Sequence, residues 1–267
     1  SLTTGIQITG LIDVTSTSNT GMYFNSVYIG GSGVGTETGN TYAFRSNQTT
    51  NTRTYQNNIF VNARSNATTG GKHYGVMVSG TGVNPAGLTN NYNDYYVTGT
   101  GGIFGYYNAD RADFAAWKSA TGQDANSFTG NPQFINPTGN STDVNLHIHP
   151  TNPTPIEATG LLVAAVANDY DGETRSDLTP TDIGADAGNF EPADIVPPVI
   201  SYTNIAFASN LTSQSFTNVG ITDASSTVNV TTGRPRVYFK RSDDANEYND
   251  NTNSTAGWKY AVANGSG

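Results

Sequence analysis

Cysteine is absent from this sequence of 267 residues, and charged side chains are scarce. Without cysteine there are no disulfide bonds or thiolate metal sites, so packing and hydrogen bonds must stabilise the fold. No apolar run approaches the ~18 residues of a membrane-spanning helix. The net charge is −9, and the scattered Lys and Arg form none of the basic clusters that bind nucleic acid or anionic lipid. We therefore expect no nucleic-acid partner and no membrane insertion.

The polarity of the chain comes from uncharged residues. Charged residues make up 12% of the sequence, against about 25% in an average soluble domain. Asn, Thr, Ser and Gly replace them, and 15 Tyr and 11 Phe stand among 30 Gly. Aromatic and β-branched residues favour strands, and glycine favours tight turns. This composition indicates an all-β protein.

A short pattern recurs three times in the first hundred residues. Residues 25–29, 57–61 and 93–97 each contain Asn, a small polar residue, and then three β-branched or aromatic residues. The copies lie 32 and 36 residues apart, and Tyr42 and Tyr74 also lie 32 residues apart. A repeat of this period is typical of a solenoid or a propeller.

Short strands joined by polar turns favour a parallel β-helix among the repeat architectures. Leucine is too rare for leucine-rich repeats, no 3.6-residue period supports helical repeats, and two strands per repeat are too few for a propeller blade. Equivalent residues of successive coils would lie ~4.8 Å apart. Asn25, Asn57 and Asn93 are therefore predicted to form an internal structural ladder, each amide bonding the next. A neighbouring row is predicted to contain Val27, Ile59 and Tyr95.

One helix is predicted after the repeats, at residues 110–122. Asp110 is the expected N-cap, Asp113 lies in the first turn, and Gly122 is the expected stop. Trp117 would cover the end or the flank of the solenoid as a buried anchor. A sugar-stacking role for the same side chain is the alternative.

A His-X-His pair lies on a predicted strand at residues 144–150. His147 and His149 point to the same face of such a strand, and a pair of this kind can bind zinc. Asp143 is the third candidate ligand nearby in the sequence. The alternative is a solvated strand face without metal.

The motif Asp169-Tyr170-Asp171-Gly172 resembles the opening of a calcium-binding loop. Asp169 and Asp171 are therefore candidate ligands for Ca²⁺, although the distal glutamate of such a loop is missing. The alternative is a structural turn in which Arg175 pairs with Asp182 or Asp171.

A proline-rich linker is predicted to divide the chain. Residues 1–191 are assigned to the β-helix with its C-terminal cap, and residues 192–198 to the linker. Residues 199–267 contain alternating strand patterns at 215–223 and 236–240, with the spacing of an immunoglobulin-like β-sandwich. A complete sandwich needs about 100 residues, so we expect this module to be truncated.

Residues 93–191 resemble the last coils and end cap of right-handed parallel β-helix proteins secreted by Bacteroidota-type bacteria. The matching segments are residues 115–117, 121–127, 131–134, 169–175 and 182–185. This chain departs from the family at residues 185–187, where an acidic and then an aromatic residue are usual. Residues 197–267 resemble the immunoglobulin-like modules that follow such helices, through residues 197–200, 221–225 and 234–240.

The resemblance implies a structural or adhesive module of a larger secreted or cell-surface protein. It also implies a cap in which Trp117, Asp171, Arg175 and Asp182 take part, and export by a type IX-like system. The expected partner is a surface or extracellular polysaccharide, or else the neighbouring domains of the same larger chain.

The alternative function is a polysaccharide lyase or a glycoside hydrolase on the same scaffold. A hydrolase needs two carboxylates across a cleft, for which Asp94, Asp110 and Asp113 are the nearby candidates. A lyase needs a base and cations, and the loops of the first two coils carry Arg45, Arg53, Arg64 and Lys72.

Overall fold

Strands make up most of the regular structure in this computed structural model, which describes residues 7–33, 35, 39–178, 180–194, 198–203, 219–223, 236–252 and 254–262. The chain divides into two compact units, Ser1–Ala193 and Asp194–Gly267. The strands of the first unit are β1 (Ile8–Asp13), β2 (Thr20–Tyr23), β3 (Ser26–Ile29), β4 (Thr41–Ser46), β5 (Arg53–Gln56), β6 (Ile59–Asn62), β7 (His73–Val78), β8 (Leu88–Asn91), β9 (Asp94–Val97), β10 (Gly102–Tyr106), β11 (Asp110–Arg111), β12 (Phe134–Asn136) and β13 (Asn145–Ile148).

Three parallel sheets organise the first unit. The first has the order β1-β4-β7-β10, with β11 added antiparallel; the second has the order β2-β5-β8, and the third β3-β6-β9. Successive repeats of the sequence thus place one strand in each sheet. The prediction of an all-β protein is confirmed, and no helix among the described residues has the length and apolar character of a membrane span.

The asparagine ladder lies beside the third sheet, but one of its members differs from the prediction. Asn25 Nδ2 donates to Asn58 Oδ1 at 2.8 Å, and Asn58 Nδ2 donates to Asn93 Oδ1 at 3.0 Å. The middle residue is therefore Asn58, and the prediction of Asn57 is wrong. Asn57 instead has a φ of 58°, a left-handed conformation that asparagine tolerates.

The register of the third sheet also corrects the predicted neighbouring row. Phe60 pairs with Val27 on one side and Tyr95 on the other, whereas Ile59 pairs with Ser26. Since side chains alternate along a strand, this change moves Ile59 to the opposite face from the one predicted.

The main core contains residues from all three sheets. Phe44 of the first sheet stacks on Phe60 of the third, with ring centroids 4.9 Å apart, and meets Tyr55 of the second edge-on at 4.5 Å. Trp117 belongs to the same cluster and is fully buried. Its anchor role therefore agrees with the structure, and burial excludes stacking on a sugar.

Trp117 lies on α1 (Phe114–Thr121), the helix expected from the sequence. Its N-cap is Asp113, whose carboxylate accepts a hydrogen bond from Ala116 N at 2.8 Å. The prediction of Asp110 as N-cap is wrong, because that residue belongs to β11. The helix ends as predicted at Gly122, which has a φ of 67°.

A second core covers the other face of the third sheet. Residues 131–190, here called the flank segment, place Ile148, Ile156 and Ile183 against Ile59 and Val61 of β6. These β6 residues alternate with Phe60 of the main core, so the strand is buried on both faces.

The part of the flank segment that was expected to close one end of the fold lies along β3 and β6. Ala185 N donates to Ser26 Oγ at 3.0 Å, and Gly184 N donates to Asn57 O at 2.9 Å. Asn57 also exchanges two hydrogen bonds with the backbone of Leu161. These contacts explain why Asn57 is buried although it is not in the ladder.

The second unit contains two antiparallel strand pairs among its described residues. Strand β14 (Val199–Ser201) pairs with β15 (Gly220–Thr222), and β16 (Arg236–Phe239) pairs with β17 (Lys259–Val262). Strand β15 lies within the predicted strand at 215–223, of which residues 215–218 lie outside the described residues. Residues 195–197 of the linker, and residues 224–225 and 234–235 of the segments that carry the resemblance, also lie outside them. The immunoglobulin-like sandwich stays a prediction.

Candidate binding groove and metal-ligand cluster

A groove of about 230 Å³ lies between the third sheet and the flank segment. Its floor contains Tyr28, Val61 and Tyr96, which pair side by side across β3, β6 and β9. The residues lining the groove are Tyr28, Val61, Ala63, Tyr96, Thr98, Asn131, Pro132, Gln133, Phe134 and Pro137.

The facing wall of the groove is held in place by hydrogen bonds. Thr154 Oγ1 donates to Pro132 O at 2.9 Å, and His149 N donates to Gln133 O at 2.8 Å. Gln133 has a φ of 64°, which turns the chain between the two bonded carbonyls. The wall is therefore preformed, as is usual for small-molecule sites.

The lining of the groove is aromatic and polar but carries no acidic or basic side chain. Two tyrosines and one phenylalanine supply ring surfaces, and Thr98, Asn131 and Gln133 supply uncharged hydrogen-bonding groups. Burial raises the pKa of Tyr28, so its hydroxyl is protonated and can donate. Such a surface suits a neutral ligand with hydroxyl groups.

The acids proposed for catalysis have structural partners outside the groove. Asp94 is fully buried, and burial raises its pKa well above the usual range. Its carboxyl accepts a hydrogen bond from Gly130 N at 2.9 Å. Asp110 bonds Lys72 and Tyr74, and Asp113 caps α1. Each of these three acids therefore has a structural partner, and none of them lines the groove.

Arg175 is buried, but it does not form the predicted ion pair. Its guanidinium donates to the carbonyl oxygens of Gly184, Ala185 and Asn168, at 3.0, 2.8 and 3.3 Å. Burial lowers its pKa. The prediction that Arg175 pairs with Asp182 or Asp171 is wrong, because its Nε and Nη2 donate to backbone carbonyls and its buried Nη1 has no hydrogen-bond partner.

Asp182 fixes the backbone of the flank segment. Its two oxygens accept hydrogen bonds from Ala158 N at 2.8 Å and Gly188 N at 3.0 Å. Burial, with the nearby Glu157 carboxyl as a smaller cause, raises its pKa to about 7. Asp182 is therefore a structural residue of the predicted cap region, although it does not contact Arg175 through a hydrogen bond.

The two aspartates of the predicted calcium loop have different partners. Asp169 Oδ1 accepts hydrogen bonds from Asp171 N and Glu173 N, and its Oδ2 accepts one from Ala187 N. Asp171 Oδ2 instead lies 2.9 Å from His147 Nε2. Asp169 thus binds the backbone of the loop, whereas Asp171 contacts His147.

Three side chains from separate parts of the flank segment do converge. One potential ligand atom each from His147, Asp171 and Asp186 lies within 4.8 Å of the others. The predicted partners of His147 are not in this group: His149 faces Thr151, and Asp143 lies in the preceding turn. Sequence reasoning missed Asp186, which no spacing rule connects to a histidine 39 positions earlier.

Compared with models of known protein families, with curated proteins and with solved structures, the chain gives no significant match.

Proposed function

We propose that this chain is a structural and adhesive module of a larger extracellular or cell-surface bacterial protein, and that its groove binds a neutral glycan. In this proposal the first unit is a right-handed parallel β-helix, and the second is an immunoglobulin-like module. The three parallel sheets, to which each repeat contributes one strand, support the β-helix architecture.

The observation that carries the glycan proposal is the placement of Tyr28 and Tyr96 opposite Phe134 in the groove. Tyrosine combines an apolar ring with a polar hydroxyl, which matches the apolar faces and hydroxyl edges of a sugar. The uncharged lining favours a neutral glycan over a uronate polymer.

A binding role is better supported than catalysis. Hydrolysis of a glycosidic bond uses two carboxyl groups flanking that bond, and none of the ten residues lining the groove is acidic. The acids that were candidates from the sequence already stabilise the fold at buried or bonded positions.

Calorimetric titration of the full chain with soluble neutral polysaccharides, such as xylan, mannan and β-glucan, tests the proposal. We expect Tyr96→Ala to weaken binding at least tenfold, a loss of about 1.4 kcal/mol. Tyr170→Ala is the matched control, because Tyr170 is 76% exposed and lies outside the groove.

Three outcomes would contradict the proposal. Equal losses in both variants would show that the groove is not the site. Release of new reducing ends from a bound glycan would favour the hydrolase alternative. Absence of binding to every polysaccharide would leave a spacer role without a glycan ligand.

A further inference from the structure

We propose that His147, Asp171 and Asp186 form a binding site for a divalent transition metal, with Zn²⁺ as the best-fitting ion. The ligand atoms are one imidazole nitrogen and two carboxylate oxygens, all within 4.8 Å of one another. Zn²⁺ binds both imidazole nitrogens and carboxylate oxygens, and a zinc site with three protein ligands keeps a fourth position for water.

The orientation of His147 supports a metal ligand. Asn145 Oδ1 accepts hydrogen bonds from both His147 N, at 2.9 Å, and His147 Nδ1, at 2.6 Å. Nδ1 therefore carries the ring proton, and in a neutral imidazole the lone pair lies on Nε2. This arrangement, with one ring nitrogen held by an oxygen acceptor, is the one that metal-binding histidines usually have.

The lone pair of His147 Nε2 points at a carboxylate. Nε2 lies 2.9 Å from Asp171 Oδ2, and two acceptors at this distance repel each other unless a cation or a proton lies between them. Tetrahedral ligands of Zn²⁺ at ~2.0–2.2 Å from the ion lie ~3.4 Å apart, so His147 Nε2 and Asp171 Oδ2 would separate by about half an ångström on binding the metal.

The other two ligands are positioned by the backbone around them. Asp171 N donates to Asp169 Oδ1 at 3.0 Å, which fixes the start of the loop. Asp186 Oδ2 accepts a hydrogen bond from Ile148 N at 2.7 Å, leaving its other oxygen for a metal. A bound ion would join strand β13 to two distant parts of the flank segment.

The imidazole nitrogen of His147 favours Zn²⁺ over Ca²⁺ as the bound ion. Ca²⁺ prefers six to eight oxygen ligands, whereas imidazole suits zinc and its first-row neighbours. The proposal therefore replaces the calcium site predicted at Asp169 and Asp171 with a zinc site that retains only Asp171.

The test uses the untagged full chain, freed of metal with a chelator and titrated separately with Zn²⁺ and Ca²⁺ in a calorimeter. We expect one Zn²⁺ per chain, no competition by millimolar Ca²⁺, and a rise in the melting temperature of several degrees on zinc binding. His147→Gln and Asp171→Asn should each weaken Zn²⁺ binding at least tenfold.

Two matched controls separate this site from weak surface binding. His149→Gln removes the neighbouring histidine, and Asp177→Asn removes an exposed carboxylate six positions after Asp171. Neither should change the affinity. Loss of zinc binding in His149→Gln, stronger binding of Ca²⁺ than of Zn²⁺, or no binding of Zn²⁺ would overturn the proposal. In the last case a proton between His147 and Asp171 would account for the short contact.

Discussion

The guanidinium carbon of Arg175 lies 4.0 Å from the centre of the Phe24 ring. Phe24 has a φ of 54° and precedes β3, so this cation–π contact joins the flank segment to the edge of the third sheet. Together with the three carbonyl oxygens that it binds, the ring encloses a cation that is only 2% exposed. Arg175 is thus a central connection between the flank segment and the sheets.

Replacing Arg175 by lysine should destabilise the first unit by about 2–4 kcal/mol, because lysine cannot bond three carbonyls in the plane of a guanidinium. Urea denaturation followed by circular dichroism measures the change. Arg241→Lys is the control, since Arg241 is exposed and forms a surface ion pair with Asp243. An Arg175→Lys protein as stable as the control would show that these carbonyl bonds are dispensable.

Asn58→Ala should cost about 2–4 kcal/mol of unfolding free energy. The substitution removes the hydrogen bonds that the buried Asn58 side chain makes with Asn25 N, Asn25 Nδ2 and Asn93 Oδ1. Asn47, which is exposed, gives a control alanine variant that should unfold at the same urea concentration as the original chain. Equal midpoints for the two variants would contradict the assigned register.

Stability should decrease as the pH rises toward neutrality. The pKa of Asp182 is about 7 in the folded protein, against about 3.9 for an unfolded aspartate. The folded state therefore binds the proton more tightly, and unfolding free energy falls between these two pH values, by up to about 1.4 kcal/mol per unit. Unfolding curves at a series of pH values measure this slope.

The variant Glu157→Gln should reduce that slope. The Glu157 carboxylate contributes to the raised pKa of Asp182, and an amide keeps the acceptor that Phe190 N uses. Burial also raises the pKa of Asp124, to about 6, so part of the pH dependence should remain in this variant. Glu173→Gln changes an exposed carboxylate and should leave the slope as it was; a similar reduction in both variants would argue against a local effect.

Binding of a neutral glycan should be insensitive to salt. Because no charged residue lines the groove, raising the ionic strength from about 0.05 M to about 0.5 M should leave the dissociation constant within about twofold. Titrations at both ionic strengths make the comparison. A marked weakening at high salt would indicate a charged ligand or a different surface.

Local periodicity predicted the repeats well but not their register. Tyr42 pairs with Tyr74 and the two rings stack at 5.2 Å, as the 32-residue spacing predicts. The repeats are unequal, however, and the partners in the asparagine ladder are 33 and 35 residues apart. Residues 57 and 58 are both asparagine, so the sequence pattern fits either of them as the ladder residue. The left-handed turn at Asn57, before β6, places Asn58 in the ladder.

The candidate sites depend on long-range packing and were less predictable. The groove joins strands β3, β6 and β9 to residues 131–137, and periodicity within the repeats carries no information on that contact. In the metal-ligand cluster, sequence motifs identified His147 and Asp171 as candidate ligands, but they did not predict that the two side chains are in contact. Such pairs are set by the path of the flank segment, which short motifs do not specify.

The hydrogen bond from Ala185 to Ser26 spans 159 positions of the chain, whereas ladder partners are separated by about one repeat. Closing so large a loop costs more entropy than adding one strand to its neighbour. The sheets can therefore form progressively, with docking of residues 131–190 as a late step in folding. Until that step is complete, the apolar face of Ile59 and Val61 is open to other chains, which makes slow docking a route to aggregation.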